Sequence, residues 1–94
     1  MRLTVYWEVK GRTGWVEMDV GVDATIQVIF DDIKHAISRS LRDVQPEVLD
    51  RLVLFQEKEG PKVDMDKTFM AVFGPTIESV VLHADYDRRR STRK

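Results

Sequence analysis

Residues 23–43 read DATIQVIFDDIKHAISRSLRD, and this stretch decides the fold. Ile26, Ile29, Phe30, Ile33, Ile37 and Leu41 recur at spacings of three and four, so they share one apolar face of a helix. Asp31, Asp32, Lys34, Arg39 and Arg42 fall largely off that face. The spacing predicts a single amphipathic helix over about 24–43. Asp23 is the expected N-cap, because its carboxylate can accept from the free N–H groups of the first turn; Thr25 is the second choice. Pro46 excludes helix at the residue before it, so the helix must stop by about Val44.

The sequence on either side of this helix alternates instead. In RLTVYWEVK, residues 2–10, Leu3, Val5, Trp7 and Val9 point one way and Thr4, Tyr6, Glu8 and Lys10 the other, which predicts a half-buried strand. GRTG, residues 11–14, supplies two glycines for a turn. WVEMDV, residues 15–20, alternates again with Val16, Met18 and Val20 on one side, so the two runs predict a β-hairpin. Beyond the helix, Pro46–Leu49 suits one helical turn, since proline is tolerated at a first helical position. RLVLFQ, residues 51–56, is a compact apolar strand. Residues 57–67 form a charged loop turning at Gly60-Pro61, with a short further strand expected through Val63. TFMAVFGP, residues 68–75, reads as an apolar turn or short helix closed by Gly74-Pro75, and residues 77–86 are the last strand.

Ninety-four residues make one domain, and a 43% hydrophobic share is enough for a core. About a dozen large apolar side chains, each contributing roughly 1.5–3 kcal/mol on burial, can offset chain entropy without covalent staples. The chain has no cysteine, which excludes disulfides and thiolate metal sites. Net charge is −1, so there is no global attraction to nucleic acid or anionic lipid. That balance hides an asymmetry: RRRSTRK, residues 88–94, holds five of the fifteen basic residues and no acid. The expected division is a folded unit over 1–87 followed by a basic tail or linker at 88–94. No apolar run approaches the eighteen or so residues of a membrane span, and from the charged, alternating start no signal peptide is expected.

Strand, strand, helix, strand, short turns, strand is an α+β order. An all-parallel sheet would need a helix between each strand pair. The economical solution is a mixed sheet of four to five strands laid on one helix, with the first and last strands parallel at its centre: a β-grasp arrangement.

At the level of residues the chain resembles ubiquitin and its relatives over about residues 3–86. RTGWVEMDVGVDATI, residues 12–26, is similar to the family's hairpin turn, second strand and helix start. Thr25-Ile26 stands where the family opens its helix, Ile33 and Ile37 where its helix is buried, and Pro46 in its proline-containing loop. Arg51-Leu52-Val53 resembles the third strand, and Ile77-Glu78-Ser79 a related tripeptide before the last. The resemblance implies a ubiquitin-like fold. It does not extend to the family's conjugating Leu-Arg-Gly-Gly end, because the chain ends DYDRRRSTRK and contains no Gly-Gly. The better comparison is with non-conjugated ubiquitin-like domains at the N-terminus of larger proteins, which serve docking or self-association.

If the helix covers one side of the sheet, alternation sends Tyr6, Trp15, Val53, Phe55, Val81 and His83 outward. A contiguous apolar set of this kind marks a binding surface with aromatic anchors, and the family carries its docking patch on this face. Other constellations carry less. Asp31, Asp32 and His35 share a helical side, and His83, Asp85 and Asp87 alternate on a strand, yet neither group has ligand spacing for a metal. No nucleophile–base order and no phosphate-binding glycine loop is present, so an enzyme is not expected, nor a cofactor. Glu57, Glu59, Asp64 and Asp66 form an acidic loop diluted by lysines, a sparser version of the motif used in head-to-tail Phox-type assembly. Arg88, Arg89, Arg90, Arg93 and Lys94 could attract acidic partners or phosphates, or serve nuclear targeting, and modification of Ser91 or Thr92 would lower their charge.

The expectation is therefore a non-catalytic protein-binding module that uses its open sheet face. The alternative is a self-associating scaffold domain. No membrane partner is expected and nucleic acid is disfavoured, and the location expected is cytoplasmic, with the nucleus left open.

Overall fold

The structure is a computed structural model that describes residues 1–56 and 60–86. The chain runs β1 (Arg2–Val9), β2 (Arg12–Asp19), α1 (Ile26–Ser40), α2 (Pro46–Leu49), β3 (Leu52–Phe55), α3 (Phe69–Phe73) and β4 (Ser79–Tyr86). The strands form one sheet in the order β2-β1-β4-β3. β1 and β4 are parallel neighbours at its centre, and β2 and β3 pair antiparallel on the outside. This is the mixed α+β sheet expected, at the lower strand count. The further strand through Val63 is reduced to a bridge between Phe55 and Lys62.

The hairpin turn is tighter than GRTG suggests. Val9 pairs with Arg12, so only Lys10 and Gly11 lie in the loop, with φ of 52° and 81°. Positive φ at both central residues matches the right-handed twist of the flanking strands. Lysine there hides the turn from a reading that looks for glycine pairs. Gly14 lies within β2 and serves a different purpose. It pairs with Trp7, whose ring crosses it; a Cβ at this position would lie 2.7 Å from the indole Cε2. Gly14→Ala should therefore cost about 1–2 kcal/mol, through displacement of the Trp7 ring. Urea unfolding followed by circular dichroism measures this, and an unchanged midpoint would show that the ring has room to yield.

The helix spans Ile26–Ser40 and is shorter than 24–43 at both ends. Its N-cap is Thr25 and not Asp23, and no side chain caps it. The reason lies forty residues away in sequence. The Ile26 N–H donates to the Lys67 carbonyl at 2.9 Å and the Gln27 N–H to the Met65 carbonyl at 3.1 Å. The orphan donors of the first turn are thus satisfied by backbone, and a carboxylate is not needed there. Leu41 closes the other end, its N–H donating to the Ile37 carbonyl at 2.9 Å. α2 occupies Pro46–Leu49, the helical turn expected there. In α3 the Thr68 hydroxyl accepts from the Ala71 N–H at 3.1 Å, and Gly74, at φ 105°, ends the helix.

Ile26, Phe30, Ile33 and Ile37 of α1 are buried against Leu3, Val5, Trp7 and Val9 of β1 and Val80, Leu82 and Ala84 of β4. Val20, Leu41, Leu49, Leu52, Leu54, Val63 and Phe69 belong to the same core. Among the described residues the helices pack on one side of the sheet, and the alternate residues of each strand occupy the other.

Candidate functional site

Strand register builds the open face in rows. Trp15 pairs with Tyr6, Tyr6 with His83, and His83 with Phe55, so these four positions run straight across β2, β1, β4 and β3. One row away Glu17 pairs with Thr4 and Thr4 with Val81. On the other side Glu8 pairs with Thr13, and Val53 with Asp85. Successive rows are two residues apart along a strand, about 7 Å.

Exposure divides the six expected residues. Trp15 is 66% exposed, Val81 50% and Tyr6 47%. His83 and Val53 are half-buried, and the His83 and Tyr6 rings are stacked with centroids 5.8 Å apart. Phe55 was expected on the exposed face but is buried, at 6%. The chain returns beside it after β3. The Gln56 N–H donates to the Pro61 carbonyl, the Val63 N–H donates to the Leu54 carbonyl at 2.9 Å, and Lys62 bridges to Phe55. This return flanks β3 with backbone, and alternation along β3 alone gives no sign of it. The face therefore has its exposed large side chains on β2, β1 and β4, and a buried aromatic at the β3 edge.

Its charges are dispersed in sequence and escape a reading by runs. Glu8, Glu17, Asp19 and Asp85 stand at outward positions, against Arg2. Arg2 lies 3.6 Å from Glu17 in an exposed pair, which adds little stability. Lys62 sits at the opposite, β3 edge.

Other polar contacts lie elsewhere in the fold. The Arg12 guanidinium grips Asp43 through two hydrogen bonds of 2.7 and 2.8 Å, tying the hairpin tip to the connector after α1. Hydrogen bonding to Arg12 holds the Asp43 carboxyl below its ordinary range, and the same contact raises Arg12. A depressed carboxylate stabilises the fold above its unfolded pKa, and this contribution fades as pH falls through the lower folded value. Asp43→Asn should thus unfold slightly more easily than the native chain at neutral pH. The two should converge in strong acid, which urea titrations at both pH values will test. A shallow groove beside this pair is lined by Lys10, Val44, Gln45 and Val48, and its charged pair is closed on itself. The Tyr86 hydroxyl is buried without a partner among the described residues; burial pushes its pKa up, Asp85 adds to this, and Arg51 opposes it.

Among the described residues no three histidine, aspartate or glutamate side chains converge to hold a metal. His35 and His83 lie on separate layers, one on α1 and one on β4. Among the same residues no helix is long and apolar enough to cross a membrane. Asp87, Glu57, Glu59 and the basic positions Arg88, Arg89, Arg90, Arg93 and Lys94 lie outside the described residues. Of the acidic loop, Asp64 is seen accepting from the Asp66 N–H at 3.2 Å.

One helix cradled by a four-stranded sheet of order β2-β1-β4-β3 is the ubiquitin-like β-grasp fold, and this chain has it. Neither a family model nor a curated protein matches the chain. Solved structures do. The chain is similar to the EccD5 ubiquitin-like domain from Mycobacterium xenopi, with a TM-score of 0.57 and 16% identity over 92% of this chain and 94% of that one. It is similar also to the ubiquitin-like domain of the Mycobacterium tuberculosis type VII secretion system protein EccD1, at TM-score 0.52 and 14% identity over 90% and 98% of the two chains. A ubiquitin-like protein from the hyperthermophilic archaeon Caldiarchaeum subterraneum matches at TM-score 0.50 and 14% identity, over 92% and 95%. At these identities the likeness is one of fold.

Proposed function

We propose that this domain is a non-catalytic protein-interaction module that docks partner proteins on the open face of its sheet. One observation carries the reading. Trp15, Tyr6 and Val81 come from three neighbouring strands and are exposed together on the side turned away from the helix. Large apolar side chains gathered on one surface mark binding sites, and rings supply contact area at little entropic cost. The ubiquitin-like fold supports this role without specifying the partner.

Amide and indole shift mapping of the labelled chain with a purified partner tests the proposal. The largest changes are expected at Tyr6, Val81, His83 and the Trp15 indole. The outer side of α1, which carries exposed Val28 and His35, should remain unchanged. Changes centred on α1 would place the contact on the wrong layer and defeat the reading.

A further inference from the structure

We infer that the open face takes a basic segment of a partner protein, with a lysine or arginine seated on the Tyr6–Trp15 pair. This rests on the docking reading and adds the chemistry of the partner. Tyr6 and Trp15 are directly paired across β1 and β2, and both are well exposed. An arginine or lysine is attracted to the faces of such rings. The rows on both sides carry carboxylates: Glu8 in one, Glu17 in the other, with Asp19 one row further on. A cation over the rings therefore has a carboxylate-bearing row on each side, the rows being about 7 Å apart along the strands. Asp85 adds a fourth carboxylate on β4, and Arg2 is the opposing charge within β1. Lys62 lies at the β3 edge, so the polarity of the face directs a basic segment to its β2–β1 half. An acidic segment would meet like charge around the same rings, which disfavours wrong partners.

The test is a titration of the labelled full chain with two capped hexapeptides, one of alternating leucine and arginine and one of alternating leucine and glutamate. The arginine peptide should shift the Trp15 indole and the amides of Tyr6, Glu17 and Val81, and the glutamate peptide should not. Raising salt from about 0.1 M to about 0.5 M should weaken the interaction severalfold, because screening shortens electrostatic reach. The double variant Glu17→Lys, Asp19→Lys should lose about tenfold in affinity for the arginine peptide, since rim charges of the wrong sign oppose association. Its otherwise unchanged spectrum will show that the fold is kept.

Equal shifts with both peptides would mean that the face reads apolar area alone, and the inference falls. It falls also if neither peptide shifts these signals. Shifts that grow with protein concentration and need no peptide would make the occupant a second copy. If removing residues 88–94 alone moves the same signals, the occupant is this chain's own basic run. The docking reading fails on a different result, an unaltered partner affinity in the Val81→Asp variant.

Discussion

Phe69→Ala should destabilise the domain by about 3–5 kcal/mol, the range found when a fully buried phenylalanine is truncated. Phe69 is 0% exposed and is the largest of the fully buried side chains. It enters the core from α3, a helix of only five residues. Its N–H donates to the Ala24 carbonyl at 3.2 Å, and its ring stacks on Phe73 with centroids 6.3 Å apart. The side chain therefore holds the segment that satisfies the first turn of α1, and its loss leaves a cavity the short helix cannot collapse into. A domain of this size is stable by only about 5–15 kcal/mol in total. The melting temperature should fall by roughly 15–30 °C. The neighbouring Met70 is 40% exposed, and Met70→Ala should cost under about 0.5 kcal/mol. Urea denaturation followed by circular dichroism distinguishes the two; similar midpoints for both variants would remove Phe69 from its place as the anchor of α3.

The second large effect concerns binding. Val81→Asp should weaken partner affinity about 30-fold or more, corresponding to the roughly 2 kcal/mol of a contact at the centre of an interface. Val81 is half-exposed on β4, paired with Thr4 and one row from the stacked Tyr6 and His83 rings. A carboxylate there would be desolvated against a partner's apolar surface. Because the site faces solvent, the stability cost should stay within about 1 kcal/mol, the span of strand propensities. Val28→Asp provides the control: Val28 is 59% exposed, but on α1, and its substitution should leave binding unchanged. Calorimetric titration of both variants decides the matter, and the proposal does not survive if the two bind equally well.

Much of the architecture can be read from side-chain period. Leu3, Val5, Trp7 and Val9 alternate with polar residues and are all buried, while Ile26, Phe30, Ile33 and Ile37 follow the helical period and are buried too. Local sequence suffices there because each element faces a single core. It fails where a distant segment supplies the deciding contact. Asp23 is a good capping residue, but the carbonyls of Met65 and Lys67 have already taken the donors it would serve. Phe55 alternates outward like Val53, yet it is buried where the return of the chain through Pro61–Val63 pairs with the end of β3. Gly14 reads as a turn glycine, whereas its missing side chain accommodates the Trp7 ring from the paired strand. The open face was half legible for the same reason. Tyr6, Trp15 and Val81 emerge from alternation, and so do Glu8 beside Tyr6 and Glu17 beside Trp15, but which of these strands lie side by side is set by cross-strand register.

The two middle strands of the sheet come from opposite ends of the described chain, residues 2–9 and 79–86. While a ribosome is still making this protein, the hairpin and helix emerge with a bare backbone edge on β1, and β3 has only the return through Pro61–Val63 beside it. Only when residues 79–86 slot between them does the sheet close. Such long-range closure slows folding and leaves the nascent chain open to wrong pairing until its last strand is out. Shortening the chain into β4 should therefore abolish folding altogether, whereas lengthening the return after β3 should cost little.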